Sequence, residues 1–125
     1  MKARVDGPSS RCYSWVFDTA VTPAGSETVT INELGFFVWV EGGWVFSDPI
    51  GEPFTAQHFA EWFGRRDAQI RPGRECTASE NWRGGDVLET SRTRWYYIGV
   101  TNGCQRVKGE ATIETLAEVD TTKVP

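Results

Sequence analysis

The sequence predicts an α+β fold: a curved antiparallel sheet or partly closed β-barrel of about six to eight strands, with one short helix over residues 55–63. Three observations lead there. Runs of alternating β-rich residues flank two hairpin signals, Gly42-Gly43 and Asn102-Gly103. Only one stretch, 55–63, combines helical spacing with a start and a stop. Aromatic residues make up 13% of the 125-residue chain, enough apolar surface to build one core. A closed all-β barrel plugged by the helix is the second reading. Residues 1–11 read as a flexible N-terminal arm, 12–120 as a single β-rich domain and 121–125 as a tail.

In chain order, Tyr13, Trp15 and Phe17 alternate with Ser14, Val16 and Asp18, the period of a half-buried strand. Thr22-Pro23-Ala24-Gly25-Ser26 breaks it, and Glu27–Asn32 resumes with Val29 and Ile31 on one face. Phe36–Glu41 and Trp44–Asp48 follow as a hairpin. With Gly42-Gly43 as its turn, Trp39 faces Phe46 and Phe37 faces Asp48, so Phe37, Trp39, Trp44, Phe46 and Asp48 share a face opposite Val38, Val40 and Val45. Both faces are apolar, which places this hairpin between the helix and another layer.

Prolines in 49–53 exclude a strand interior. The helix begins at Thr55 as N-cap, with Phe54 and Phe59 at hydrophobic-staple spacing, and ends at Gly64. Phe59, Trp62 and Phe63 form its expected buried stripe, and at about nine residues it depends on packing to exist. Ala68 and Ile70 start a strand that Pro72-Gly73 turns; Glu75–Ser79 continues it, and Gly84-Gly85 punctuates again. The last hairpin joins Arg92–Thr101 to Cys104–Val119. A two-residue Asn102-Gly103 loop sets Ile98 against Val107, Tyr96 against Gly109 and Arg94 against Ala111 on a core face. Trp95 against Glu110 and Tyr97 against Lys108 then form a wet face, with a Tyr97–Lys108 cation–π pair.

The net charge of −4 divides unevenly: residues 1–64 carry three basic and eight acidic side chains, residues 65–125 ten and nine. Arginines after Gly64 alternate with carboxylates, the pattern of solvated strand faces, and the acidic total argues against nucleic acid as a partner. Cys12, Cys76 and Cys104 lie far apart without a CxxC pair or a nearby histidine, so they read as reduced thiols with no metal. No apolar run reaches signal-peptide or membrane-span length, giving the expectation of a cytoplasmic domain with no membrane partner.

Two side chains are the candidates for acid–base catalysis. Asp48 falls on the predicted aromatic face, where desolvation disfavours a carboxylate and moves its pKa toward working pH. His58, the only histidine, sits near the helix start with Glu61 one turn on. Phe37, Trp39, Trp44, Phe46, Trp62 and Tyr96 are the candidate ligand-binding residues, and no cofactor is called for.

The stretch WVFSDPIGEPFTAQHFAEWFGRR, followed by long strands, looks like the middle of the cone-shaped enzymes and binding proteins related to nuclear transport factor 2, including polyketide cyclases. That resemblance implies a ligand pocket between helix and sheet. The chain departs from the family at its start, where residues 12–40 read as strands rather than two helices.

The leading expectation is a small-molecule-binding domain with an aromatic-lined pocket for an apolar or aromatic ligand, a cofactor-independent acid–base enzyme of the cyclase, isomerase or hydratase type. The alternative, drawn from the same aromatic excess, is an interaction or assembly module with exposed tryptophan anchors and no catalysis. Exposed β-edges are compatible with a homo-oligomer in either case.

Overall fold

The computed structural model describes residues 1–47 and 49–120. Its elements are β1 (Tyr13–Val21), β2 (Val29–Val40), β3 (Gly43–Ser47), β4 (Phe54–Thr55), α1 (Ala56–Phe63), β5 (Gln69–Ile70), β6 (Cys76–Gly85), β7 (Ser91–Thr101) and β8 (Arg106–Thr115). The described residues are mostly antiparallel sheet with one short helix. Its main sheet runs β3-β2-β7-β8 and does not close into a barrel. β3, β4 and β5 succeed one another along a single edge of β2, and β1 pairs with β6 as a separate ribbon.

The core lies on one face of this sheet. Leu34, Ile31 and Val29 of β2 and Tyr97 of β7 meet Phe59 and Phe63 of the helix, with Cys76 and Ala78 of β6 beside them. Phe59 stacks on Phe63 with ring centroids 4.4 Å apart, and both meet Tyr97 edge-on. Helix and ribbon therefore cover the same face together, which explains how eight helical residues persist. Trp15, 2% exposed, ties the ribbon to the end of the sheet by donating its indole N–H to the Leu116 carbonyl at 3.1 Å. The first residues dock on the same region. The Met1 ammonium donates to the Glu114 carbonyl at 2.8 Å, and Ala3, fully buried, donates to the Glu118 carbonyl at 2.7 Å.

Both hairpins differ in register from the sequence reading. In the first, Glu41 and Gly42 occupy the turn with φ of 47° and 84°, so Trp39 pairs with Trp44 and Phe37 with Phe46. The pairing moves, but each strand keeps its facing: Phe37, Trp39, Trp44 and Phe46 still share a side. In the second, Cys104 adopts φ 64°, the Cys104 N–H donates to the Thr101 carbonyl and the Thr101 N–H donates to the Gln105 carbonyl, each at 2.9 Å. This three-residue loop with a left-handed third position adds one residue to the expected turn. Tyr97 consequently faces Gly109 and Trp95 faces Ala111, while Tyr96 faces Glu110. The one-residue slip exchanges the faces of β8: Tyr97 belongs to the core, and Lys108 lies over Tyr96, 5.7 Å from its ring centre.

The helix agrees with expectation at its ends, with Thr55 extended as N-cap and Gly64 left-handed at φ 65°. Trp62 is the exception. It is 40% exposed rather than part of the buried stripe, and its ring packs edge-on against Phe54 at 4.7 Å. The first hairpin is not sandwiched between layers either, since Val40 and Val45 are 48% and 53% exposed.

Candidate functional site

The sequence-nominated residues separate onto two sides of the sheet. Tyr96 faces away from the core, where it meets Phe37 at 5.7 Å and Phe46 at 6.5 Å. Trp39 and Trp44 extend this surface as an edge-to-face pair at 5.2 Å. Cations cover it: Arg92 lies 5.4 Å from the Trp39 ring centre and Arg94 4.4 Å from that of Trp44. Five of the six candidate binding residues are thus together, as an aromatic face under basic side chains. Burial and the Glu33 carboxylate, which accepts the Tyr96 hydroxyl at 2.8 Å, raise the Tyr96 pKa to about 12.

Trp62 and His58 belong elsewhere. Their rings lie 5.5 Å apart on the helix, which packs against the opposite, core face. The His58 Nδ1 accepts the Thr55 backbone N–H at 3.0 Å, closing the helix start in the manner of a capping box with histidine in the usual Glu position. That bond uses Nδ1 as the acceptor. Asp48, the other catalytic candidate, lies outside the described residues. Among the described residues no group of three His, Cys, Asp or Glu side chains is placed to hold a metal, and no helix is long and apolar enough to cross a membrane. Cys12 and Cys104 are exposed and Cys76 buried, all as free thiols.

One concavity among the described residues was not anticipated by the sequence reading. It is a cleft of about 700 Å³ on the core face, between the end of β1 with the 22–27 loop and the floor made by β2, β7 and β8. Phe17 and Val21 form its roof, and Trp95, Tyr97, Gly99 and Gly109 lie in its floor. Gly109 has open space where a Cβ would project, so the floor there is bare backbone. Asp18 and Glu27 line it as well. The Asp18 carboxylate accepts the Glu80 N–H at 2.9 Å, holding the irregularity where the β1–β6 register shifts and Glu80 turns left-handed at φ 56°. Burial raises the Tyr97 pKa, against the effect of the Thr19 hydroxyl. Alternation of Val107, Gly109, Ala111 and Ile113 with the polar Lys108, Glu110 and Thr112 was the available signal for this floor, and the assumed two-residue turn concealed it by assigning β8 to the wrong neighbours.

No protein-family model matches the chain, and neither a curated protein nor a solved structure is significantly similar to it.

Proposed function

We propose that the chain is a small-molecule-binding domain whose ligand, apolar or aromatic, lies in the cleft between Phe17–Glu27 and the β7–β8 floor. The observation that carries this reading is the cleft itself. Its volume of about 700 Å³ falls within the range of about 300–1,000 Å³ typical of ligand sites. Its apolar lining supplies the driving force by burial, and Asp18 and Glu27 favour a neutral or cationic ligand over an anion. This moves the site from the face carrying Phe37 and Trp39 to the one carrying Trp95 and Tyr97.

Titration with Nile red, a neutral apolar dye, tests the reading. Gly109→Leu places a side chain in the open space of the floor, and its expected effect is to weaken the dye Kd about tenfold or more while the circular dichroism spectrum is retained. A folded Gly109→Leu protein that binds the dye as tightly as the wild type overturns it. The interaction-module reading draws on one specific observation, the Arg92–Trp39 and Arg94–Trp44 stacks, because Trp and Arg dominate protein interfaces. It gains if Trp44→Ala abolishes capture of a protein partner and leaves dye binding unchanged.

A further inference from the structure

The outer edge of β8 is a row of main-chain groups with a definite phase. The Thr101 N–H bond to the Gln105 carbonyl closes the hairpin, so in the antiparallel alternation Val107, Gly109, Ala111 and Ile113 bond to β7. Arg106, Lys108, Glu110, Thr112 and Glu114 then direct their N–H and C=O groups outward. The Glu114 carbonyl confirms this phase, since it accepts the Met1 ammonium. From Glu114 onward the edge is taken by the N-terminal residues, and from Arg106 to Thr112 no backbone group among the described residues pairs with it.

We propose that this edge, Arg106–Thr112, pairs antiparallel with the same edge of a second copy of the chain, through a two-fold axis at Gly109. The register follows by elimination. An axis midway between two residues would set outward groups against inward ones and form no ladder. An axis at Arg106, Lys108 or Glu110 opposes a charge to itself, and one at Val107 opposes Arg106 to Lys108, each of which destabilises a cross-strand pair. An axis at Ala111 requires Glu114 to bond the other copy, and its carbonyl already serves Met1. With the axis at Gly109, Lys108 of each copy faces Glu110 of the other, twice, and Arg106 faces Thr112. On the cleft side Val107 meets Ala111, two exposed apolar positions, while Gly109 meets Gly109 with open space where its Cβ would be.

The pairing joins the two main sheets edge to edge and removes β8 as a free edge. Because the axis stands perpendicular to the sheet, both clefts lie on the same side and open toward each other across Val107 and Ala111. The interface does not depend on the cleft holding a ligand.

Sedimentation equilibrium over a range of concentrations tests it. Wild type is expected at twice the 14.0 kDa chain mass, and Lys108→Glu and Glu110→Lys each at the single mass, because each sets like charges face to face. The double exchange Lys108→Glu with Glu110→Lys restores opposite charges and is expected to return to the dimer. A monomeric wild type, single variants that keep the dimer mass, or a double exchange that stays monomeric while folded each overturns the proposal. Nile red binding by the monomeric Lys108→Glu protein separates a failure of the interface from a failure of the ligand reading.

Discussion

The Tyr96 hydroxyl donates to the Glu33 carboxylate at 2.8 Å, and its ring lies over the bare backbone of Gly35. A methyl group at Gly35 would stand 2.8 Å from the phenol oxygen and 2.9 Å from Cε1. The ring is held from its other sides by Phe37 and Lys108, so it has little room to yield. Gly35→Ala is therefore expected to destabilise the fold by about 1–3 kcal/mol, the usual range for overpacking, read as a lower urea midpoint at unchanged slope. An unchanged midpoint shows that Tyr96 moves freely.

The same pair makes stability depend on alkaline pH. The Tyr96 pKa rises from 10.0 to about 12 because burial and the adjacent Glu33 carboxylate oppose a phenolate. The folded state thus holds its proton where the unfolded chain loses it. Stability from this source is present in full below pH 10 and declines as pH rises through 12. Burial of Tyr97 acts in the same direction. Urea unfolding at a series of alkaline pH values should show the decline, and Tyr96→Phe should make it shallower without abolishing it. An equally steep decline in Tyr96→Phe assigns the effect elsewhere.

What could be read from the sequence depended on how directly a local signal determined the geometry. The helix was legible because Thr55, the apolar spacing and Gly64 agree with one another. The aromatic face survived an error in its own derivation. Moving the turn from Gly42-Gly43 to Glu41-Gly42 shifts every cross-strand partner by two positions, so Phe37, Trp39, Trp44 and Phe46 stay on one side. The second hairpin had no such protection. One extra residue, Cys104 in the left-handed region, shifted the partners by one and brought Val107, Gly109 and Ala111 under Trp95 and Tyr97. The cleft floor was hidden by that single residue. Trp62 was misplaced for another reason: helical spacing gives a direction, and whether a neighbour occupies it is a property of the tertiary fold.

The displaced first turn sets two effects against each other. A Gly-Gly turn avoids backbone strain, yet the observed turn keeps Glu41 at φ 47° and gains Trp39–Trp44 and Phe37–Phe46 as direct pairs. Against the single Trp39–Phe46 pair of a Gly-Gly register this is a net gain of one aromatic pair, about 0.5–1.5 kcal/mol, of the same size as the cost of about 1–2 kcal/mol for a left-handed non-glycine residue. The strain nevertheless remains available for relief. Glu41→Asn creates an Asn-Gly turn and is expected to stabilise the chain by about 0.5–1 kcal/mol, measured as a higher urea midpoint. Destabilisation by this substitution means that the Glu41 side chain makes a favourable interaction outweighing the turn.

Thr93 lies near the start of β7, fully buried between Val38 and Ile113, and its hydroxyl oxygen has no hydrogen-bond partner among the described residues. A buried hydroxyl without a partner costs about 1–3 kcal/mol of desolvation, and the apolar neighbours offer nothing to offset it. Thr93→Val keeps the branched shape, suits the strand and removes that cost. It is expected to stabilise the fold by about 1 kcal/mol, where Thr93→Ser, which keeps the hydroxyl and deletes a methyl, destabilises it by a similar amount. The two variants therefore move the urea midpoint in opposite directions. If Thr93→Val instead lowers it, the hydroxyl is satisfied by an internal water, and a high-resolution crystal structure would locate that water beside Thr93.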